Sequence, residues 1–263
     1  MAPCLFTQLY GRYRELDQLS RLVLYVKDIM RSGRVVDFKL EEDEKLSFIP
    51  KKKFLFSKVE ECSDAQSWYK LLEKREIKDI HLVSYFEEDN IKFAGFSNST
   101  EQGIVTEYAN GKTTLWVAKW EFDEEIKGWT SYYKEFKWRG GSQYTYEECR
   151  RDFERTLLDI EELARLLGFD NFAKIFKEAY DILTSKGDSS IPEWARDDMP
   201  NLTEERLRLF LAASEADVFG AMGSWNDSPE WVAREKGLQE NYEKLSHDLY
   251  VSTRKAVMNA VNG

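Results

Sequence analysis

The side chains that could do acid–base or nucleophilic chemistry are few in this sequence. It has two histidines, His81 in a run with strand character and His247 between Ser246 and Asp248. Neither accompanies a G-x-S-x-G elbow or a cysteine motif, the contexts in which histidine activates a nucleophile. Ordinary surface or core histidines explain both positions best, and no catalytic residue is predicted.

Metal and nucleotide sites lack their usual sequence patterns as well. The three cysteines, Cys4, Cys62 and Cys149, are far apart, and neither H-E-x-x-H nor a paired-cysteine motif occurs. No Walker or G-x-G-x-x-G motif is present. Adjacent carboxylates such as Glu161 and Glu162 point in different directions on a helix, which favours a solvated face over a shared site. We therefore predict no metal and no cofactor, and expect reduced thiols.

The least generic stretch, Asp217–Trp231, joins two segments with helical periodicity. Its glycines, Gly220 and Gly223, permit backbone conformations that other residues resist. Asn226 and Asp227 favour turns, because their side chains hydrogen-bond to their own backbone. The stretch is therefore predicted to turn sharply between two helices.

Two interpretations of this stretch stay open. In the first, it is only a tight helix–helix corner whose aromatic side chains fill the core. In the second, it is a preorganised recognition loop, because tryptophan is favoured at interface hot spots. The residues that such a loop would present to a partner protein are Trp225, Asn226 and Asp227, with Trp231 beside them.

The run Val218–Asp227, with the sequence VFGAMGSWND, is similar to a segment of uncharacterised bacterial proteins, some of them of the toxin-immunity kind. The similarity is confined to the C-terminal part of the chain. It implies a bacterial, cytoplasmic protein that binds a partner, and it carries over no catalytic residue.

Charge is divided unevenly along the 263 residues, whose formal net charge is −10. Residues 143–263 hold 24 acidic against 15 basic side chains, or −9, whereas residues 1–142 hold 24 against 23, or −1. Such a protein lacks the clustered cationic face that phosphate contacts need, so direct nucleic-acid binding is not expected. The acidic half instead favours a basic protein partner, because complementary charge steers association.

The favoured function is accordingly a non-enzymatic binding module, such as an immunity protein or inhibitor whose acidic half docks on a basic partner. The alternative is a small-molecule-binding protein or enzyme with a cleft between an aromatic sheet and the helices. Trp116, Trp120, Trp129 and Trp138 would line that cleft, although the same residues also suit a sheet core.

Targeting and membrane segments are not recognised in the sequence. The N-terminal residues lack a basic region followed by an apolar run. The longest apolar runs fall far short of the roughly 20 residues that span a bilayer. A cytoplasmic protein without membrane association is expected.

The first half of the chain is predicted to combine one long helix with strands. Apolar residues at spacings of three and four predict a helix over 6–31, with Gly33 placed to end it. A capping box of Ser63 and Gln66 predicts a second, short helix. Alternating or continuous apolar runs predict strands near 34–40, 46–49, 54–59, 77–86, 90–97, 104–109 and 112–122.

The dipeptide Asn110-Gly111 predicts a β-hairpin with a two-residue type I′ turn. That turn would pair Thr106 with Leu115 and Val105 with Trp116. It would leave Trp116, Trp120 and other aromatic side chains on one face of the sheet.

The second half is predicted to be helical. Thr145 and Glu148 form a capping box for a helix that ends at Gly168, and a second helix follows after a short loop. Thr203 begins a third helix. The last helix is predicted to begin with Ser228 as its N-cap and Pro229 at its first position, and Gly237 interrupts it. The fold is thus α+β: an N-terminal helix plus antiparallel β-sheet region, 1–142, joined at Arg139–Ser142 to an antiparallel helical bundle, 143–263.

Overall fold

The computed structural model describes eight stretches of the chain, and the side chains of 6–17, 146–148, 194, 197 and 198 are left out of the description. The stretches are 6–40, 44–51, 61–84, 102–124, 127–138, 146–185, 191–220 and 223–263. The predicted linker Arg139–Ser142, the capping box at Thr145 and the predicted strands at 54–59 and 90–97 lie outside them. No described helix is long and apolar enough to cross a membrane.

The chain forms two compact units, each discontinuous in sequence. The sheet unit comprises Gln18–Val83 and Ser97–Ser142, and the helical unit comprises Met1–Asp17, Ser84–Phe96 and Gln143–Gly263. The predicted domains, by contrast, are continuous segments that meet at residues 142 and 143.

The sheet unit contains a five-stranded sheet in the order β1-β5-β4-β3-β2 among the described residues. Two helices accompany it, of which α1 belongs to this unit from Gln18 onward. The elements are α1 (Phe6–Ser32), β1 (Glu44–Ile49), α2 (Ala65–Lys74), β2 (Ile77–Ser84), β3 (Gln102–Tyr108), β4 (Thr113–Asp123) and β5 (Gly128–Lys137).

The sheet is mixed, so the prediction of an antiparallel sheet is wrong in this detail. β4 runs antiparallel to β3 and β5, but β1 runs parallel to β5, with Leu46 opposite Ser131 and Phe48 opposite Tyr133. Parallel pairing needs a long connection, which the elements between β1 and β5 supply. Turn motifs in the sequence predict pairing only between consecutive strands. They therefore could not predict that β1 pairs with β5, the last strand along the chain.

One face of the sheet carries the aromatic core of this unit. Phe48 stacks on Trp68 of α2 with ring centroids 4.2 Å apart and on Tyr133 at 5.0 Å. Trp116 meets both Phe48 and Trp68 edge-on. All four side chains are completely buried. Gln18 of α1 accepts hydrogen bonds from Ser131 and Tyr133, which places α1 on this same face.

The hairpin between β3 and β4 is present, but its register differs by one residue from the prediction. Thr106 lies opposite Thr114 and Val105 opposite Leu115. The Tyr108 backbone N–H donates to the Lys112 carbonyl at 3.0 Å, so the loop between these two residues has three residues. Gly111 has a φ of +75°, whereas Asn110 lacks the positive φ of a type I′ turn. The Asn110 side chain accepts a hydrogen bond from the Lys112 backbone N–H at 3.0 Å, and this local turn replaces the predicted one.

The predicted strand at 34–40 is wrong. This segment has no strand partner among the described residues, and Val35 and Val36 are exposed. Its backbone carbonyls bind α1 instead: Tyr25 donates its hydroxyl to the Val36 carbonyl and Arg21 donates to the Lys39 carbonyl. Alternating apolar residues therefore mark a chain that packs along a helix here.

Local capping signals are mostly confirmed, with a one-residue difference at α2. Gly33 follows α1 with a φ of +67° and donates its N–H to the Ile29 carbonyl, as a C-terminal glycine should. The capping box of α2 consists of Asp64 and Ser67 rather than the predicted Ser63 and Gln66. The hydrogen bond from the Ser67 backbone N–H stabilises the ionised form of the Asp64 carboxyl and is the chief cause of its lowered pKa.

The helical unit is an assembly of packed helices, and Gly168 and Gly237 separate consecutive pairs as predicted, each with a positive φ. The helices are α3 (Tyr146–Leu167), α4 (Asp170–Thr184), α5 (Glu193–Asp198), α6 (Glu204–Ala216), α7 (Ser228–Glu235) and α8 (Gln239–Asn262). Helix α3 packs on α4, α7 and α8. Thr203 caps α6 by accepting from the Arg206 backbone N–H, which confirms its predicted role.

Candidate functional site

The turn of residues 217–227 leaves α6 and returns against α8. Asp217, at its start, pairs with the buried guanidinium of Arg254 at 3.2 Å, and that guanidinium lies 3.8 Å from the ring centroid of Tyr250. Phe219 is completely buried and meets Tyr250 edge-on. The start of the turn is therefore anchored on α8 by both charge and ring packing.

Trp225 is a core side chain of the helical unit. It is completely buried, and its ring meets Phe172 and Phe176 of α4 edge-on, with centroids 5.3 Å away in each case. Its indole N–H donates to the Ser246 hydroxyl at 2.8 Å, and its carbonyl accepts from the Tyr242 hydroxyl at 2.7 Å. Of the two interpretations of this residue, the structure favours the core side chain, because a completely buried ring is not presented to a partner.

Asn226 closes the turn from within. Its side-chain oxygen accepts from the Gly220 backbone N–H at 2.8 Å and from the Ser224 hydroxyl at 2.9 Å. Its amide nitrogen donates back to the Gly220 carbonyl at 3.0 Å. A Cβ at Gly220 would lie 3.3 Å from that of Ser224, so the absence of a side chain permits this close approach. All these bonds are internal to the turn.

Asp227 lies at the boundary between the turn and α7. Because α7 begins at Ser228, its N-cap is Asp227 rather than the predicted Ser228, and Pro229 occupies the second helical position. The Asp227 carboxylate accepts from the Gly223 backbone N–H at 2.8 Å and makes no capping bond to the helix. Asp227 remains exposed.

Trp231 differs from Trp225 and Asn226, because its side chain, like that of Asp227, is exposed. It is 60% exposed, although it lies on a helix whose opposite face, with Ala233, is buried. Residues three or four positions away on a helix are its surface neighbours. For Trp231 these include Asp227, Arg234 and Glu235, all of them exposed.

The surface around Trp231 has an excess of negative charge. Glu230 and Arg234 face each other at 3.6 Å, so the one cation of α7 already has a carboxylate partner. Burial raises the pKa of the neighbouring Tyr242 hydroxyl well above its usual value, the hydrogen bond with Ser246 opposes that change, and the carboxylates of Glu230 and Asp227 add to it. We call Trp231 with Asp227, Glu230 and Glu235 the Trp231 surface.

The four tryptophans of the predicted ligand cleft differ in burial: two are buried and two are half-buried. Trp116 is completely buried in the aromatic core of the sheet unit and donates its indole N–H to Thr106 at 3.3 Å. Trp120 is 6% exposed. Trp129 and Trp138 are half-buried, and Trp129 packs edge-on against the exposed Phe122. Trp116 and Trp120 thus serve as sheet-core side chains, which leaves Trp129 and Trp138 as accessible rings.

A polar cavity between α3 and α8 was not among the predicted sites. Its volume is about 240 Å³, and its lining includes Cys149, Thr156 and Ser252. These three side chains are buried, and the hydroxyls of Thr156 and Ser252 are 3.4 Å apart. Cys149 and Ser252 fit the apolar stripes of their helices by spacing alone. The signal that could have revealed the cavity is the coincidence of short polar side chains in both stripes.

The chemistry of this cavity does not include an activated thiol. Burial raises the pKa of Cys149 to about 12, and the nearby Lys255 ammonium only partly opposes that rise. The thiol is therefore protonated at neutral pH, whereas the thiolate is the nucleophile. His247 lines the same cavity. The other histidine, His81, lies in the sheet unit between Asp79 and Glu107, at 3.4 and 3.5 Å.

Among the described residues, no group of three or more histidine, cysteine or acidic side chains could hold a metal ion. Comparison with protein-family models, with curated proteins and with solved structures finds no match to the chain. The similarity of Val218–Asp227 to uncharacterised bacterial proteins, some of them of the toxin-immunity kind, stays a prediction. In the structure this run supplies the buried Trp225 and the closed Asn226 turn.

Proposed function

We propose that the protein is a non-enzymatic binding module whose Trp231 surface docks on a basic segment of a partner protein. Trp231 supports this most directly, because its ring is exposed whereas the other described tryptophan side chains are buried or half-buried. Tryptophan contributes a large contact area to interfaces at a small cost in side-chain entropy. The exposed ring of Trp231 on α7, with the carboxylates around it, offers the contact area that such an interface would use.

The charge around the ring selects the chemistry of the partner. An arginine or lysine side chain can lie over the face of Trp231 while its charge pairs with Glu235 or Asp227. The wider segment 143–263 carries a formal charge of −9, which would attract a basic surface from a distance. The ring would thus fix the docked position, and the carboxylates would select a cationic partner and accelerate encounter.

The decisive experiment compares capture of proteins from a native lysate by the wild-type chain, Trp231→Ala and Phe136→Ala. Phe136 is the matched control, because it is a similarly exposed aromatic residue in the sheet unit. We expect a basic protein to bind the wild type and Phe136→Ala at low salt, and to bind Trp231→Ala at least about tenfold more weakly. Equal capture by all three chains would exclude the Trp231 surface.

Salt and charge reversal test the electrostatic half of the proposal. We expect release of the captured protein at about 1 M salt, where the Debye length falls to roughly 3 Å. Glu235→Lys should slow association with little effect on dissociation, since a rim charge acts mainly on the on-rate. Association measured by surface plasmon resonance that is insensitive to both changes would contradict a basic docking segment.

An inhibitor or immunity function would be a narrower form of the same proposal. In that case the captured partner should have an activity that the wild-type chain suppresses in proportion to binding. Trp231→Ala should then relieve the suppression, and Phe136→Ala should not. A captured partner whose activity is unchanged by the bound chain would leave docking intact and remove the inhibitor function.

A further inference from the structure

The outward face of α3 carries a regular stripe of exposed side chains, opposite the face that is buried in the helical unit. The stripe has spacings of four, three, four and three residues, and its members are Arg151, Arg155, Leu158, Glu162 and Arg165. An average spacing of 3.5 residues keeps side chains on one face of a helix and is typical of a face along which two helices pack. We call these five residues the α3 stripe.

The middle of the α3 stripe is apolar, and the charges on its two sides have opposite sign. Leu158 is 46% exposed. Arg155 lies about one turn before it and Glu162 about one turn after it, and both are exposed. A single exposed leucine is common on protein surfaces, so the pattern of charge around Leu158 is the informative feature. A face with this pattern is complementary to an inverted copy of itself.

The charged groups of the stripe are available for a new ion pair. Arg155 lies 3.3 Å from Asp152, but the two side chains are 74% and 66% exposed, and such pairs contribute little in water. Glu162 has no ion-pair partner among the described residues. Arg165, at the end of the stripe, pairs with Glu161 of its own helix at 2.8 Å.

We propose that the α3 stripe is a self-association surface, on which a second copy of this chain packs its own α3 in the antiparallel direction. A twofold axis beside Leu158 brings the two leucines together and places Arg155 of each copy opposite Glu162 of the other. In a parallel pair, each of these charges would instead face its own equivalent, and like charges would oppose association. Asp159 lies about 100° round the helix from Leu158 and therefore at the flank of the stripe.

The expected interface is small, because two helices that touch along one face bury less than the roughly 1,200 Å² of a standard stable interface. The dimer should therefore be transient, with a dissociation constant on the order of 10–100 µM. The proposal is independent of the Trp231 surface, which lies on α7, so Trp231→Ala should leave self-association unchanged.

Sedimentation equilibrium of the full chain over a range of concentrations tests the proposal. We expect a reversible monomer–dimer equilibrium, and Leu158→Asp should weaken it at least about tenfold, because the substitution places two carboxylates at the axis. A chain that remains monomeric up to about 500 µM would overturn the proposal.

Charge exchange tests the antiparallel arrangement. Arg155→Glu and Glu162→Arg should each weaken the dimer at least about tenfold, because each places like charges opposite one another. The double variant with both substitutions restores opposite charges and should recover most of the lost affinity, as a directly interacting pair requires. Failure of the double variant to recover affinity would overturn this pairing.

Glu243→Arg is the matched control, because it makes the same charge change at an exposed position of α8. It should leave the dimer at the wild-type affinity. Far-UV circular dichroism and thermal unfolding establish that each variant folds. A dimer that Leu158→Asp and both single charge reversals leave intact, or that Glu243→Arg weakens equally, would exclude the α3 stripe as its interface.

Discussion

The turn of residues 217–227 and helix α7 are adjacent in sequence, yet they use tryptophan in opposite ways. Trp225 is completely buried among the rings of α4 and α8, whereas Trp231 is 60% exposed. The Asn226 side chain forms hydrogen bonds with Gly220 and Ser224, which both belong to the turn itself. Around Trp231, by contrast, Asp227 and Glu235 are exposed, and Glu230 pairs with the exposed Arg234 at 3.6 Å. The turn is therefore part of the core of the helical unit, whereas α7 carries the exposed ring on which the proposed docking depends.

The largest effect on this comparison is expected from Trp225→Ala. The change removes a completely buried ring and leaves the Ser246 hydroxyl without its donor. We expect a loss of about 3–5 kcal/mol in the free energy of unfolding, measured by urea denaturation. Trp225→Phe should lose less, because it keeps an aromatic ring beside α4. A loss below about 1 kcal/mol for the alanine variant would show that the turn is not structural.

The second prediction concerns the bonds that close the turn. Asn226→Ala removes two bonds to Gly220 and one to Ser224, and we expect a loss of about 1–3 kcal/mol in unfolding free energy. Asn226→Asp keeps the accepting oxygen but cannot donate to the Gly220 carbonyl. It should therefore lie between alanine and the wild type. Equal stability of all three chains would contradict the closed turn.

A smaller effect is expected from Glu215, at the end of α6 that leads into the turn. Burial raises the pKa of its carboxyl above 4.5, and the charge of Glu178 adds to the rise. Because the pKa of this carboxyl is higher in the folded chain than in the unfolded chain, Glu215 contributes stability while it is protonated. That contribution is fully present below the unfolded pKa and is lost as the pH rises through the folded pKa. Glu215→Gln should therefore be more stable than the wild type at neutral pH, with a difference that shrinks on acidification towards pH 4.5 in thermal unfolding.

The smallest change in stability is expected from Trp231→Ala. An exposed side chain contributes little to folding, so we expect a change within about 0.5 kcal/mol in the same urea assay. The variant should therefore be folded when its partner binding is measured. A loss above about 1.5 kcal/mol would break the comparison, because it would place Trp231 among the structural side chains.

The parts of the fold that depend on local signals could be predicted from the sequence. Thr203 begins a helix and Gly33 and Gly168 end helices where their capping chemistry places them. The Asn110-Gly111 dipeptide predicts the position of the hairpin but not its register, because the Asn110 side chain forms a competing local turn. A single residue in the loop shifts every cross-strand pair.

The parts that depend on distant partners could not be predicted. β1 and β5 are far apart in sequence, and the residue pattern of neither strand indicates which other strand it pairs with. The segment 34–40 alternates like a strand but packs along α1 instead. The burial of Trp225 likewise depends on Phe172 and Phe176 of α4, about 50 residues earlier in the chain, and no local pattern in the turn indicates this contact.

The parallel pairing of β1 with β5 has a consequence for how the chain acquires its structure during synthesis. The edge strand at Glu44–Ile49 leaves the ribosome early, but its partner, Gly128–Lys137, follows only after β2, β3 and β4. Closing a long loop costs chain entropy before the pairing can offset it, and such non-local contacts slow folding. β1 therefore lacks its sheet partner until β5 has been synthesised, and the edge that β5 will cover is open to mispairing in that interval.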